Sequence, residues 1–157
     1  MCAMSDGRNE TKDEKLDRKW GDLLQELRVM QTGAQLTAGF LLTLPFTTKF
    51  PSLDDFQVTL FLILVLVAAL TTATVITPVA VHRRISGEHV KERLVSTAHK
   101  LVGAGLTLLA ILVTGIVVLI FDVVVDRTAA LVAGAVVGAI LACLLVALPL
   151  KLVGPHD

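Results

Sequence analysis

Four stretches of this chain carry no Asp, Glu, Lys, Arg or His: Val29–Thr48, Phe56–Val81, Leu101–Phe121 and Thr128–Leu150, of 20, 26, 21 and 23 residues. An α-helix needs about 18 or more predominantly apolar residues to cross the hydrocarbon of a bilayer, and each stretch meets that length. Together they occupy 90 of the 157 residues. A spanning segment must satisfy its backbone internally, so runs of this length read as helices. The expectation is an all-α protein, a four-transmembrane-helix bundle. With 54% hydrophobic and only 18% charged residues, the composition excludes a soluble enzyme domain, a nucleic-acid binder and a disordered chain. The two cysteines, Cys2 and Cys143, lie too far apart in environment to staple a small secreted module.

The charged residues are sorted by position. The net charge is zero, from 14 cationic and 14 acidic side chains. Of the Lys and Arg residues, 12 fall in the N-terminal segment, the 82–100 loop and Lys151; the other 2 are Lys49 and Arg127. Under the positive-inside rule this bias predicts a multi-pass protein of the cytoplasmic membrane with both termini cytoplasmic. Asp54, Asp55, Asp122 and Asp126 then gather at the opposite surface. No cleavable leader or lipidation motif is evident at either end.

Ahead of the first span, Leu16, Trp20, Leu23, Leu24, Leu27 and Met30 recur at steps of three and four, with charged residues on the other faces. That period predicts an N-terminal amphipathic cytoplasmic helix over 13–28 continuing into the first span. The resulting helix, longer than the bilayer core, is expected to project from the membrane or to bend onto it. Residues 1–12 are expected to be a disordered tail and 13–150 a single membrane domain. Its spans are placed at about 29–46, 56–81, 101–125 and 128–150, with 151–157 as a short tail. Pro45 ends the first span, Ser52 or Asp54 is a natural N-cap for the second, and Pro78 lies near the second's end. Ser86-Gly87 reads as a turn, Glu88–Lys100 as a helical lead into the third span, and 122–127 leaves room only for a tight hairpin.

Several patterns are candidate sites. Ala130, Gly134, Gly138 and Ala142, four apart, form a small-residue stripe that lets a neighbouring helix approach closely. It suits packing within one chain, or contact with a second copy or a membrane-protein partner. On the first span Arg28, Thr32, Gln35 and Gly39 share a face, with Gln31 one turn before Gln35. Glutamines in an apolar span are costly unless paired, so this stripe should face other helices or a wet cavity. Thr71 and Thr74 on the second span, with Ala68 and Pro78, and Thr107 and Thr114 on the third, with Gly103 and Ala110, form matching stripes that together would line a small polar interior. Interhelical hydrogen bonding explains them more simply than a substrate path. Glu26 and Asp122 are boundary acids at opposite ends.

His82, His89, His99 and His156 flank basic segments or the tail without metal-ligand spacing. No phosphate-binding loop, nucleophile elbow or HExxH motif is present. The expectation is therefore no enzyme, no metal and no cofactor, with the lipid bilayer as the first partner and nucleic acid excluded.

The string WGDLLQELRVMQTGAQ (Trp20–Gln35), followed by FLLTLPF (Phe40–Phe46) and DDFQ (Asp54–Gln57), resembles an actinobacterial family of small four-span membrane proteins of uncharacterised function. ITPVAVHR, ending at Arg83, and the Leu94–Lys100 segment carry the same likeness, which covers most of 13–150. The resemblance implies the four-span architecture and an actinobacterial source, and it transfers no catalytic residue. Some members bear a sodium:proton antiporter label. Proton-coupled transport ordinarily uses an ionisable group near the midplane, and the four runs contain none. The leading expectation is therefore a structural, accessory or interaction subunit, with a small oligomeric cation/proton antiporter or transporter as the alternative.

Overall fold

A computed structural model describes residues 11–84, 91–147 and 150–151, without the side chains of 12–13, 16–17, 82–84 and 91–97. The Ser86-Gly87 turn, His89, His156, Cys2 and most of the two tails lie outside the described residues. Those described are helical throughout apart from short connections, in four helices: α1 (Lys12–Thr43), α2 (Asp55–Arg84), α3 (Lys91–Val124) and α4 (Arg127–Ala142).

Local chemistry sets the helix ends. Thr11 caps α1 through a reciprocal box in which its hydroxyl accepts from the Glu14 N–H while the Glu14 carboxylate accepts from the Thr11 N–H at 2.8 Å, satisfying two otherwise orphaned donors. Pro45 sits in a single 3-10 turn, Leu44–Phe46, that closes α1, and Pro51 in a second, Phe50–Ser52. Asp54 accepts from the Gln57 N–H at 2.8 Å to start α2, and Asp126 accepts from the Ala129 N–H at 2.8 Å to start α4. Pro78 lies inside α2 and its ring is fully buried. α4 passes after Ala142 into a wider π turn, Cys143–Ala147.

α1, α2 and α3 pack against one another, and α4 packs chiefly on α3. Two apolar clusters hold the three-helix part. One joins Leu23, Leu27 and Met30 of α1 to Val75 of α2 and to Ala98 and Val102 of α3. The other joins Leu41 to Phe61, Leu64 and Ala68 of α2 and to Leu112 and Leu119 of α3. Close approach relies on Gly105, where an added Cβ would sit 2.7 Å from Met30 Cε and 3.4 Å from Val75 Cγ2. Within the predicted amphipathic segment, Leu23 and Leu27, with Trp20 and Leu24 beside them, thus pack inside the bundle against Ala98 and Val102. Hydrophobic periodicity reveals which face is buried and not what buries it.

Three helices are long and apolar enough to cross a membrane: Asp55–Val81, Ala98–Val124 and Arg127–Ala147. Most of each is left uncovered by the chain itself, with Leu62, Leu66, Leu70, Ile111, Leu131, Val136 and Ile140 among its exposed residues. Contiguous apolar surface of this extent belongs in lipid. α1 does not join the three, because it ends at Thr43, short of the end of its charge-free run, and Gln31, Gln35, five threonines and two glycines dilute the leucines of Val29–Thr48.

Candidate functional site

The most developed polar arrangement lies where the α1–α2 connection meets the α3–α4 hairpin. Asp122, near the end of α3, keeps its side chain only 2% exposed. Arg127, at the first position of α4, donates from Nε to Asp122 Oδ1 and from an Nη to Oδ2 at 3.2 Å, a two-pronged grip on one carboxylate. The same Nη reaches Asp54 Oδ2 at 2.9 Å, and the guanidinium lies 3.8 Å above the Phe56 ring, a cation–π contact. Gln57 completes the group. Its Oε1 accepts from the Asp54 N–H at 3.0 Å and its Nε2 donates to Asp122 Oδ2 at 2.9 Å.

These five side chains tie the start of α2, the end of α3 and the start of α4 into one clasp. The ion pair between Arg127 and Asp54 also places both connections at the same end of the bundle. Arg127 and Asp54 stay about half exposed, at 43% and 55%, so the clasp has a wet rim around a buried carboxylate. The arrangement is closed: the side chains of Asp54, Gln57, Asp122 and Arg127 each have a partner within it. Sequence reading singles out Asp122 and misses Gln57, Phe56 and Arg127 as its neighbours. Two signals were available, the Arg five residues after Asp122 across a tight hairpin and the Asp54–Gln57 spacing of a capping box.

The other sequence-predicted residues fall into three places. Thr71 is fully buried and Thr74 half-buried in α2, yet their hydroxyls donate to Val67 O and Leu70 O on their own helix, at 2.7 and 2.8 Å. Thr107 does the same to Gly103 O at 2.9 Å. Thr107 and Thr114 border an apolar groove of about 480 Å³ between α3 and α4, along with Gly138 and Ala142. The threonine stripes are therefore spread over separate surfaces and are not gathered around one interior. In the small-residue stripe, Ala130 and Gly134 are buried, a Cβ on Gly134 would collide with Val118 of α3, and one on Gly138 would touch Thr114 Cγ2 at 3.5 Å. Ala142 is exposed. The upper half of that stripe is spent on α3 within the chain.

Arg28, Thr32, Gln35 and Gly39 remain together, all exposed on the face of α1 turned away from α2 and α3, with Gln31 half-buried beside them. The Thr32 hydroxyl bonds Arg28 O at 3.0 Å. Among the described residues the side chains of Gln31 and Gln35 have no hydrogen-bond partner. Glu26 is exposed on α1, toward the end remote from the clasp.

A family model matches residues 9–149, which include the clasp and the α1 stripe. The chain belongs to DUF6328, a family of unknown function. No curated protein and no solved structure is significantly similar to it. The DUF6328 match therefore supplies a family without an activity, and the chemistry must be read from the residues.

Proposed function

We propose that this protein is an integral subunit of the cytoplasmic membrane that crosses it four times, with both termini inside, and acts by binding another protein within the bilayer. The depth of α1 supports the fourth crossing. Met30 packs with Val75, and Leu41 packs with Phe61, Leu64 and Ala68. Gln35, between them on α1, is consequently level with about Ala68, the middle of the Asp55–Val81 span. A less apolar helix shares this depth because its inward face packs on α2 and α3. The cationic bias of the N-terminal segment and the 82–100 loop supports the orientation.

The observation that carries the interaction reading is the unpartnered Gln35 carboxamide on the outward face at mid-membrane. An amide left unpaired in hydrocarbon costs roughly 4 kcal/mol or more, which a lipid acyl chain does nothing to relieve. Transport ranks second. The buried carboxylate of the described residues, Asp122, sits at one end and is gripped by Arg127 and Gln57, which fits a structural clasp better than a proton carrier.

A photocrosslinking amino acid at position 35, activated in intact membranes, tests the reading. Protein adducts are the expected result. Adducts with lipid alone would remove it.

A further inference from the structure

We propose that the partner at this face is a second copy of the same chain, docked α1 against α1 in parallel about an axis along the membrane normal. The proposal deepens the four-span interaction reading and rests on it.

Gly21, Gln25, Arg28, Thr32, Gln35 and Gly39 follow one another at alternating steps of four and three, the repeat of a helix seam that meets a like helix. Every one of the six is exposed. The buried residues Leu23, Leu27, Met30, Ala34 and Leu41 occupy the opposite side of α1, packed within the chain. α1 thus has two seams, and only one is filled.

Three properties of the open seam select a copy of itself. A carboxamide is self-complementary, carrying both an acceptor oxygen and donor hydrogens, and copies inserted in the same orientation bring Gln35 to Gln35 at the same depth. Gly39, one turn further, has open space where a Cβ would stand, so two backbones can approach closely there, and small residues with interhelical amide bonds are the usual means of helix association in lipid. The Thr32 hydroxyl is turned back onto its own helix, leaving its methyl to pack. Arg28 lies about 10 Å from Gln35 along the axis, toward the cytoplasmic boundary, where it meets its twin at the level of the headgroups and its long side chain can carry the charge away from the seam into water. The alternative oligomer face, the small-residue stripe of α4, is already half consumed by Val118 of α3.

Disulfide trapping in native membranes tests this in the full chain with Cys2→Ala and Cys143→Ala. Single cysteines at Gln35 and Gly39 should give a covalent homodimer on mild oxidation, on the order of tenfold more than a cysteine at Phe40, which is exposed on the same helix but off the seam. Equal trapping at Phe40, no dimer at 35 and 39, or adducts only with a different protein would each overturn the proposal. The four-span reading is checked separately by labelling cysteines at Lys19 and Thr48 with an impermeant maleimide. If both react from the same side, that reading fails. If they react from opposite sides and no dimer forms, the second-copy proposal alone fails.

Discussion

At the clasp, Asp122, Arg127, Asp54 and Gln57 spend their hydrogen-bonding capacity on one another, whereas halfway along α1 the carboxamides of Gln31 and Gln35 spend none on any described residue. Both regions are polar groups in a chain dominated by leucine, valine and alanine, but the difference is in who supplies the partner. The clasp draws its partners from three helices of the same chain, because two short connections meet at one end. The α1 stripe faces away from those helices, and in the reading proposed above its partner is a second copy of the chain. Threonine is a third solution: Thr71, Thr74 and Thr107 return their hydroxyls to their own backbones and are satisfied at any position around the helix. Glutamine, with a longer side chain and an amide, has no such local escape.

If the clasp is a self-contained device, breaking it should cost stability in the isolated protein. Asp122→Ala leaves the Arg127 guanidinium without its two-pronged acceptor and leaves Gln57 Nε2 with only its longer bond, 3.4 Å, to the backbone carbonyl of residue 122. The thermal midpoint in detergent, followed by circular dichroism, should fall on the order of 5–10 °C; no change would mean that the pair contributes nothing. Gly134→Leu probes the filled seam of α4, where the added side chain meets Val118 and must push α4 off α3. A fall of about 5 °C is expected, without loss of the dimer.

The open seam should respond in the opposite way. Gln35→Leu removes the unpartnered amide from the single chain, so the thermal midpoint of the monomer should stay the same or rise. Dimer dissociation, measured by light scattering across a dilution series, should shift about tenfold toward monomer. A large loss of monomer stability instead would show that Gln35 belongs to the fold and would erase the contrast.

The smallest effect is at the other end of α1. The Thr11 N–H, then the Thr11 hydroxyl, hold the Glu14 carboxyl below its ordinary value of 4.5. A depressed value means that the capping box is fully stabilising above about that pH, and that its contribution is lost as the pH falls through the lowered value. Carbon chemical shifts of residues 12–15 should move toward coil at acid pH, and Glu14→Gln should abolish that pH dependence. Because Glu14 is fully exposed, the rest of the bundle should not respond.

The number of helices and three of the spans were legible because they depend on local quantities, namely the length of a charge-free run and the period of its apolar residues. The inward side of α1 was legible for the same reason, through Leu23, Leu27 and Met30. The clasp was only partly so: Asp122 stands out as a lone acid at a span boundary, but Asp54 and Gln57 lie 68 and 65 positions away from it in the chain. Proximity over that separation is decided by how the connections turn. The stripes of α1, α2 and α3 read alike in sequence, since a helical wheel shows which residues share a face and not what lies opposite.

The sequence by itself determined an all-helical protein with helices apolar enough to cross a membrane and with its cations concentrated in the N-terminal segment and the 82–100 loop, because backbone satisfaction and the cost of charge in hydrocarbon act on each segment separately. Tertiary structure decided that Asp122 closes on Arg127, that α4 spends Gly134 on α3, and that the glutamine face of α1 turns outward. Those outcomes follow from the packing of α1, α2 and α3 around two shared apolar clusters, with α4 laid against a further side of α3, which leaves α1 only one inward side and turns its opposite face to the surface.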